Sequence, residues 1–560
     1  MTKPHALVLP LAVAVLLIAV GCAGSPPATP TAPPAAPATS QAEPTKAPTA
    51  AQTQPTAAPS KPTEAPAAKQ PAAPSKDTIV IAQGADAFSM DPTQHTVLPT
   101  AAILFHIYEP LIFRQPDGSF APGLAESWAQ EEPTRWRFHL RKGVNFTNGE
   151  PMNAEAVAFS INRAIDPETK SPYRSRLSTI KEAKVVDEYT VDIVTTEPDP
   201  VLEHRLIQNS FASLIVPPKY VKEHDGKIPD DAPIGTGPYK FKEWVKDDHV
   251  TLVDNEDYWG NDLFWSGKPK PKTLIWKPIP ETSARIAALK NNEADIIVNV
   301  PPELADSINS NEGTQVVEVP SDFLYFVVMN TETVKAFQDQ RVRQAMNYAV
   351  DVDAILKNIM LGHGKRIAVT MTTNGFAYPD DLKPYPYDPE KAKQLLTEAG
   401  YPDGFGPIVF MSRNGRYLKD AEIVQAVAGY LDEVGVKTEI KFVEGGVWGN
   451  LGDAHQRGDI NFPGWSGLDP DLVWYPILHC DQFQSYFCDK KLDALLDTGR
   501  STIDKQKRAE IYKEAGHLIY ELAPHIPLFQ PPLLYGINKD LVWKPSGDDL
   551  INLRGAYFQK

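Results

Sequence analysis

The stretch DINFPGWSGLDPDLVWYP, residues 459–476, sets an indole, a hydroxyl and carboxylates within a few positions of one another. Trp465 can offer a flat apolar wall, and Gly464 and Gly467 let backbone approach a bound molecule closely. Asp469 and Asp471 can accept hydrogen bonds, so one chemistry on offer is capture of a solute that carries a positive group. A second is nucleophilic. GWSGL (464–468) nearly reproduces G-x-S-x-G, with Ser466 at the nucleophile but Leu468 where the last glycine belongs. The bland alternative is a surface turn whose tryptophan plugs the core, and the residues alone leave it and a binding loop equally open. Just downstream stand Cys480 and Cys488, the only cysteines after Cys22. In an exported chain such a pair suggests a disulfide; the rival reading makes them metal ligands with His479. No second ligand cluster is visible, so no metal and no cofactor is expected. H-E-x-x-H and G-x-x-x-x-G-K-[ST] do not occur, which argues against a zinc protease helix and against ATP hydrolysis by this chain. The net charge of −16, with no basic run, argues against nucleic acid.

These residues need elements to hold them. Before the stretch, the pattern predicts a strand at 459–462, so the loop leaves the carboxyl end of a strand, where ligands sit in open α/β sheets. Further strands are expected at 135–146, 189–196, 249–254, 295–300, 408–411 and 437–443. Helices are expected from Asn153, an N-cap ahead of Val157, Phe159, Ile161 and Ala164, and from Asp388, with Pro389 in the first turn and Gly400 as the stop. Others follow at 420–434, near 447–456 and at 504–524. Strands alternating with helices imply an α/β protein with largely parallel pairing.

The first 76 residues read differently. An apolar run at 6–20, too short to span a bilayer, ends at Cys22 behind small residues and reads as an export signal. Residues 23–76 are rich in Pro, Ala and Thr and contain no Leu, Ile, Val, Phe, Trp or Tyr, so they offer no core and are expected to be a disordered tether.

Seven ordered blocks carry a resemblance. They are IYEPLIFRQPDGSFAPGLAESW (107–128), WRFHLRKGVNFTNGEPMNAEAVAFSINRA (136–164), PIGTGPYKFKEW (233–244), RIAALKNNEADI (285–296), DQRVRQAMNYAVD (339–351), YDPEKAKQLLTEAGYPDGF (387–405) and the Gly464–Trp465 loop. Together they resemble an extracellular solute-binding protein of the peptide/nickel/opine type, family 5, the soluble partner of ATP-driven importers. The resemblance implies an α/β, two-lobed periplasmic-binding-protein-like fold (cluster C type) with an extra inserted domain. The first lobe would comprise 77–110, 232–325 and 527–560, the insert 111–231 and the second lobe 326–526. Residues 1–22 would be a lipoprotein signal with Cys22 lipidated. The implied function is capture of an oligopeptide or similar polar solute in a closing cleft, with delivery to a permease that has separate ATPase subunits. The implied setting is a monomer held by its lipid at the outer face of the cytoplasmic membrane or in the periplasm. By the same match the ligand would meet Gly464, Trp465, Ser466, Gly467, Asp469, Asp471, Tyr108, Trp448, Arg413 and Tyr325. One departure stands out: peptide-binding members place an ammonium-pairing Asp where this chain has Leu468, so Asp469 would have to substitute. A core or rim role is the alternative for Trp448 and Arg413. Competing functions are a ligand-binding partner of a membrane signalling receptor and an exported hydrolase built on Ser466.

Overall fold

The computed structural model describes residues 77–559 apart from 96, 208–212, 415, 445–446, 449–450, 453–454 and 483. Cys22, the signal and the 23–76 tether lie outside the described residues, as does part of the helix expected near 447–456. Among the described residues no helix is long and apolar enough to cross a membrane.

Three sheets organise the chain. The first runs in the order Thr314–Pro320, Pro532–Asn538, Ile296–Ile297, Thr78–Gln83, Thr273–Pro278, His249–Asp254, Tyr239–Val245. Its middle strand, TIVIAQ, is a nearly continuous apolar run because both faces are covered. Helix Leu98–Ile107 is apolar on every side and lies in that lobe's core. A Cβ on Gly235 would stand 2.0 Å from the Ile107 carbonyl oxygen, so glycine is what lets the following segment lie against the end of this helix.

The second sheet runs Lys365–Arg366, His525–Gln530, Phe323–Met329, Ile460–Asn461, Phe405–Ser412, Val436–Phe442, and Trp465–Ser466 also pairs with Phe323–Met329. The third has four antiparallel strands, Ala125–Glu132, Arg135–Leu140, Thr190–Thr195 and Ile180–Asp187, backed by helix Ala154–Ile165. Asn153 caps that helix by accepting from the Ala156 amide at 3.1 Å, and Val157 and Ile161 are wholly buried, each contributing about 1.5–3 kcal/mol.

Two expectations change. Pairing is mostly antiparallel. Thr78–Gln83 is parallel to Thr273–Pro278 and Ile296–Ile297, and Phe405–Ser412 to Val436–Phe442 and Ile460–Asn461, but the remaining ladders of both large sheets run antiparallel. The cause is that hairpins and strands arriving from the other lobe join the helix-linked strands. The lobe crossings also move. Strands Phe323–Met329 and His525–Gln530 lie wholly in the second sheet, so boundaries at 325/326 and 526/527 would cut both. Sheet membership puts the crossings at 321–322 and at Pro531.

Candidate functional site

Two loops leave neighbouring strand ends in the second lobe. The loop 413–419 follows Phe405–Ser412, and the loop 462–469 follows Ile460–Asn461, which is parallel to it. Gly464 is left-handed (φ +59°), and a Cβ there would meet the Tyr417 ring at 2.4 Å, so glycine lets one loop rest on the other. Arg413 Nη2 ties them by donating to the Pro463 carbonyl and, at 3.2 Å, to the Tyr417 hydroxyl. Trp465 is half-buried, and its Nε1 donates to the Leu472 carbonyl at 3.0 Å. Ser466 is exposed on a two-residue strand paired with Phe323, and among the described residues no histidine bonds it. Gly467 donates its amide to the Asp322 carbonyl at 3.3 Å.

The acids of the loop are not free for a cation. Asp469 is 3% exposed, caps helix Pro470–Leu478 and accepts from both terminal nitrogens of Arg508 at 2.6 and 2.7 Å. Arg508 is itself buried, donates Nε to the Gly499 carbonyl at 3.2 Å and packs between the rings of Phe376 and Tyr512. The amine-anchor reading of Asp469 is therefore corrected: its charge is satisfied inside the second lobe. Asp471 is 6% exposed and 3.5 Å from Arg500, and burial pushes its carboxyl up to about 6 against the pull of that guanidinium. It too is withdrawn from solvent.

Charged groups of the insert close over this face. Glu197 pairs with Arg500 at 2.9 Å, and Asp199, held by Thr179 and Arg205, lies close enough to Asp471 to help raise it. From the first lobe, Glu303 pairs with Lys419 at 2.8 Å. Arg114, on the hairpin Ile112–Arg114 and Phe120–Pro122, makes a two-pronged pair with Asp322 at the lobe crossing, with Asp548 3.7 Å away. Sequence reasoning missed Arg500, Arg508, Arg114 and Lys419, because the acids named above meet them across 29 to 303 positions.

Other expected contacts sit deeper. Tyr108 is wholly buried in the first-lobe core and donates its hydroxyl to the Met90 carbonyl at 3.0 Å, so it is corrected from ligand contact to core. Tyr108→Phe should cost about 1 kcal/mol of stability, seen in denaturant unfolding, and leave ligand retention unchanged. Tyr325, 2% exposed, donates to the Leu418 carbonyl at 3.2 Å and packs on Tyr417, Phe462 and Phe529; it backs the loops and does not face the cleft. Trp448 is 5% exposed, flanked by the guanidinium groups of Arg413 at 4.8 Å and Arg457 at 4.7 Å, so its ring is covered. The structure thus brings together Gly464 to Gly467, Arg413 and Trp448 at one edge, and leaves Tyr108 elsewhere. Cys480 and Cys488 form a disulfide; Asp493 lies beside them, but both sulfurs are engaged.

Two α/β lobes joined by paired crossing strands, with a second-lobe loop reaching a residue of the first, define a two-lobed binding protein of the periplasmic type. The chain belongs to the bacterial extracellular solute-binding proteins, family 5, whose profile (the family 5 Middle region) matches residues 119–485. It is 29% identical over 486 residues to the glutathione-binding protein GsiB of Salmonella choleraesuis (strain SC-B67), covering 84% of this chain and 92% of that one. Among solved structures it is similar to the ABC transporter-associated periplasmic binding protein DppA from Helicobacter pylori, in complex with the peptide STSA. That match has 26% identity and a TM-score of 0.70, over 86% of this chain and 98% of that one. It is also similar to AgaA from A.tumefacien R10, in complex with agropinic acid, at 25% identity and a TM-score of 0.69 over 86% and 99% of the two chains. The family and these relatives are binding proteins of transporters, so this chain is a binding protein and not an enzyme.

Proposed function

We propose that this protein is the membrane-tethered capture component of an ATP-driven importer. It takes an oligopeptide or similarly sized polar solute into a cleft that closes between its lobes and passes it on to a permease with separate ATPase subunits. The observation that supports this reading is a pair of ion pairs, Lys419 with Glu303 and Arg500 with Glu197, that join the second lobe to the first lobe and the insert around the loop 462–469. Exposed pairs of this kind are each worth only about 0–1 kcal/mol, so they hold the lobes together weakly. A solute that touches both sides then shifts the balance toward closure by its differential affinity for that state.

In the same reading Cys22 carries the lipid at the outer face of the membrane, the segment 23–76 links it to the body, and the body works as a monomer. The lobes and insert follow the three sheets. Small-angle scattering tests the central step. The radius of gyration should fall when the stripped protein meets pools of peptides, sugar acids or metal chelates. A profile unchanged by every pool, or release of a cleaved product, overturns it.

A further inference from the structure

The insert is fastened to the two lobes by different kinds of contact. Towards the first lobe, Tyr173 and Trp259 pack against the cores of both parts. The Thr147 amide donates to the Gly235 carbonyl at 2.9 Å and the Ile215 amide to the Glu109 carbonyl at 3.0 Å. Arg163 adds a buried two-pronged pair with Asp91. Towards the second lobe the insert presents charged side chains, and Glu197 on Arg500 is the pair that spans the contact. Opening the clamp therefore carries Glu197 away with the first lobe and leaves Arg500 behind.

We propose that Arg500 is a partner-swapping latch: it completes an ion pair with Asp471 when the lobes are open, and gives up part of that pair to hold Glu197 when they close. This rests on the solute-capture reading above and adds the device that keeps the empty clamp open.

Arg500 is stretched between two acids. Its Nη2 donates to Glu197 at 2.9 Å, and its guanidinium lies over the Tyr475 ring at 4.2 Å. Its Nε faces Asp471 Oδ1 at 3.5 Å. Both of these atoms are buried, and among the described residues neither has a hydrogen-bond partner. A buried donor and a buried acceptor that stop short of bonding are costly. Burial accordingly outweighs Arg500 at Asp471 and pushes that carboxyl up to about 6. The neighbouring pair shows the contrast. Arg508 bonds Asp469 and the Gly499 carbonyl, both in the second lobe, and reaches Asp469 with two nitrogens at 2.6 and 2.7 Å.

Of the two partners it is Arg500 that can move. The Asp471 side chain is 2% exposed, in the first turn of helix Pro470–Leu478, which Val473 and Trp474 anchor in the core. Arg500 stands one residue from the end of helix Lys490–Ser501, on a long side chain. Bringing its Nε to Asp471 needs a shift of only about 0.6 Å, to the usual N–H···O separation. Glu197 is more than half exposed, so the pair gained on closing is a weak one, set against a buried pair left incomplete. The empty protein then rests open, and a solute that touches both sides supplies the difference.

The test is a double-mutant cycle on the purified full chain, stripped of solute, read by equilibrium dialysis and small-angle scattering. The probes are a pool of unblocked Ala, Leu and Phe tripeptides and a pool of sugar acids. Asp471→Asn removes the competing charge, so it should tighten retention at least fivefold and lower the radius of gyration of the empty protein. Glu197→Gln should weaken retention at least threefold with an unchanged melting temperature. In the Glu197→Gln background, Asp471→Asn should gain less than twofold, because the latch then has nothing to swap to. Asp199 of the insert also repels Asp471, and Arg205 attracts it, and neither effect involves Glu197. An equal gain in both backgrounds would assign it to that repulsion and overturn the swap, as would an Asp471→Asn variant that binds no tighter than the wild type; solute capture would still stand. If no pool is retained and the scattering profile never changes, solute capture itself falls, and the latch with it.

Discussion

Arg508→Ala should be among the most damaging single changes in the second lobe, costing about 3–5 kcal/mol, because it leaves the Asp469 carboxylate buried with no countercharge. The pair is not an optional surface contact: Asp469 also caps helix Pro470–Leu478, and Arg508 fills the space between Phe376 and Tyr512. Truncation therefore removes packing as well as charge. Urea unfolding should show an earlier second-lobe transition and an unmoved first-lobe transition. Combining it with Asp469→Asn should restore much of the loss, since the neutral amide still accepts from the Asp471 amide. A single variant as stable as the wild type would mean that water reaches Asp469, and would return it to the list of possible ammonium partners.

Asp471→Asn should act in the opposite direction. Its carboxyl is pushed up to about 6 from 3.8 by burial, with Asp199 and Asp469 adding repulsion that the neighbouring Arg500 does not cancel. The folded protein therefore binds this proton more tightly than the unfolded chain does. Below about pH 4 both states are protonated and nothing is lost. Stability then falls as pH rises through the interval from about 4 to 6, and above it the full penalty, roughly 3 kcal/mol, is present. The asparagine variant should accordingly melt higher than the wild type at pH 7.5 and at the same temperature at pH 4. Arg500 keeps Glu197 at 2.9 Å and the Tyr475 ring at 4.2 Å, so it is not stranded by the change. A lower melting temperature at pH 7.5 would show that the attraction between Asp471 and Arg500 outweighs the cost of burial.

The local signals in the sequence carried most of the elements. The 504–524 helix is observed as Lys505–Leu522 with Asp504 as its cap, and the 249–254 strand as His249–Asp254, because caps, apolar spacing and alternation are short-range. Strand 135–146 is shorter, Arg135–Leu140, since the chain turns at Gly143 (φ +74°) before the bridge between Asn145 and Pro151. The site was harder to read, for a specific reason. Asp-Pro at 388–389 reads as a helix cap, whereas the same dipeptide at 469–470 reads as a binding acid, yet both cap helices. What distinguishes the second is Arg508, 39 positions on, and no periodicity encodes that meeting.

The two lobe crossings run side by side. Thr314–Pro320 pairs residue for residue with Pro532–Asn538 in one sheet, and the same two segments continue as Phe323–Met329 and His525–Gln530 in the other. Between the sheets, Ser321 donates its amide and hydroxyl to the Pro531 carbonyl, at 3.2 and 2.6 Å, and Gln530 bonds back to the Ser321 carbonyl. Such a doubled ribbon behaves as a leaf spring: it flexes across its flat face and resists shear and torsion, because either would break its rungs. Guests of different bulk would then register as different angles about a single axis, and a transport partner could gauge occupancy from one coordinate.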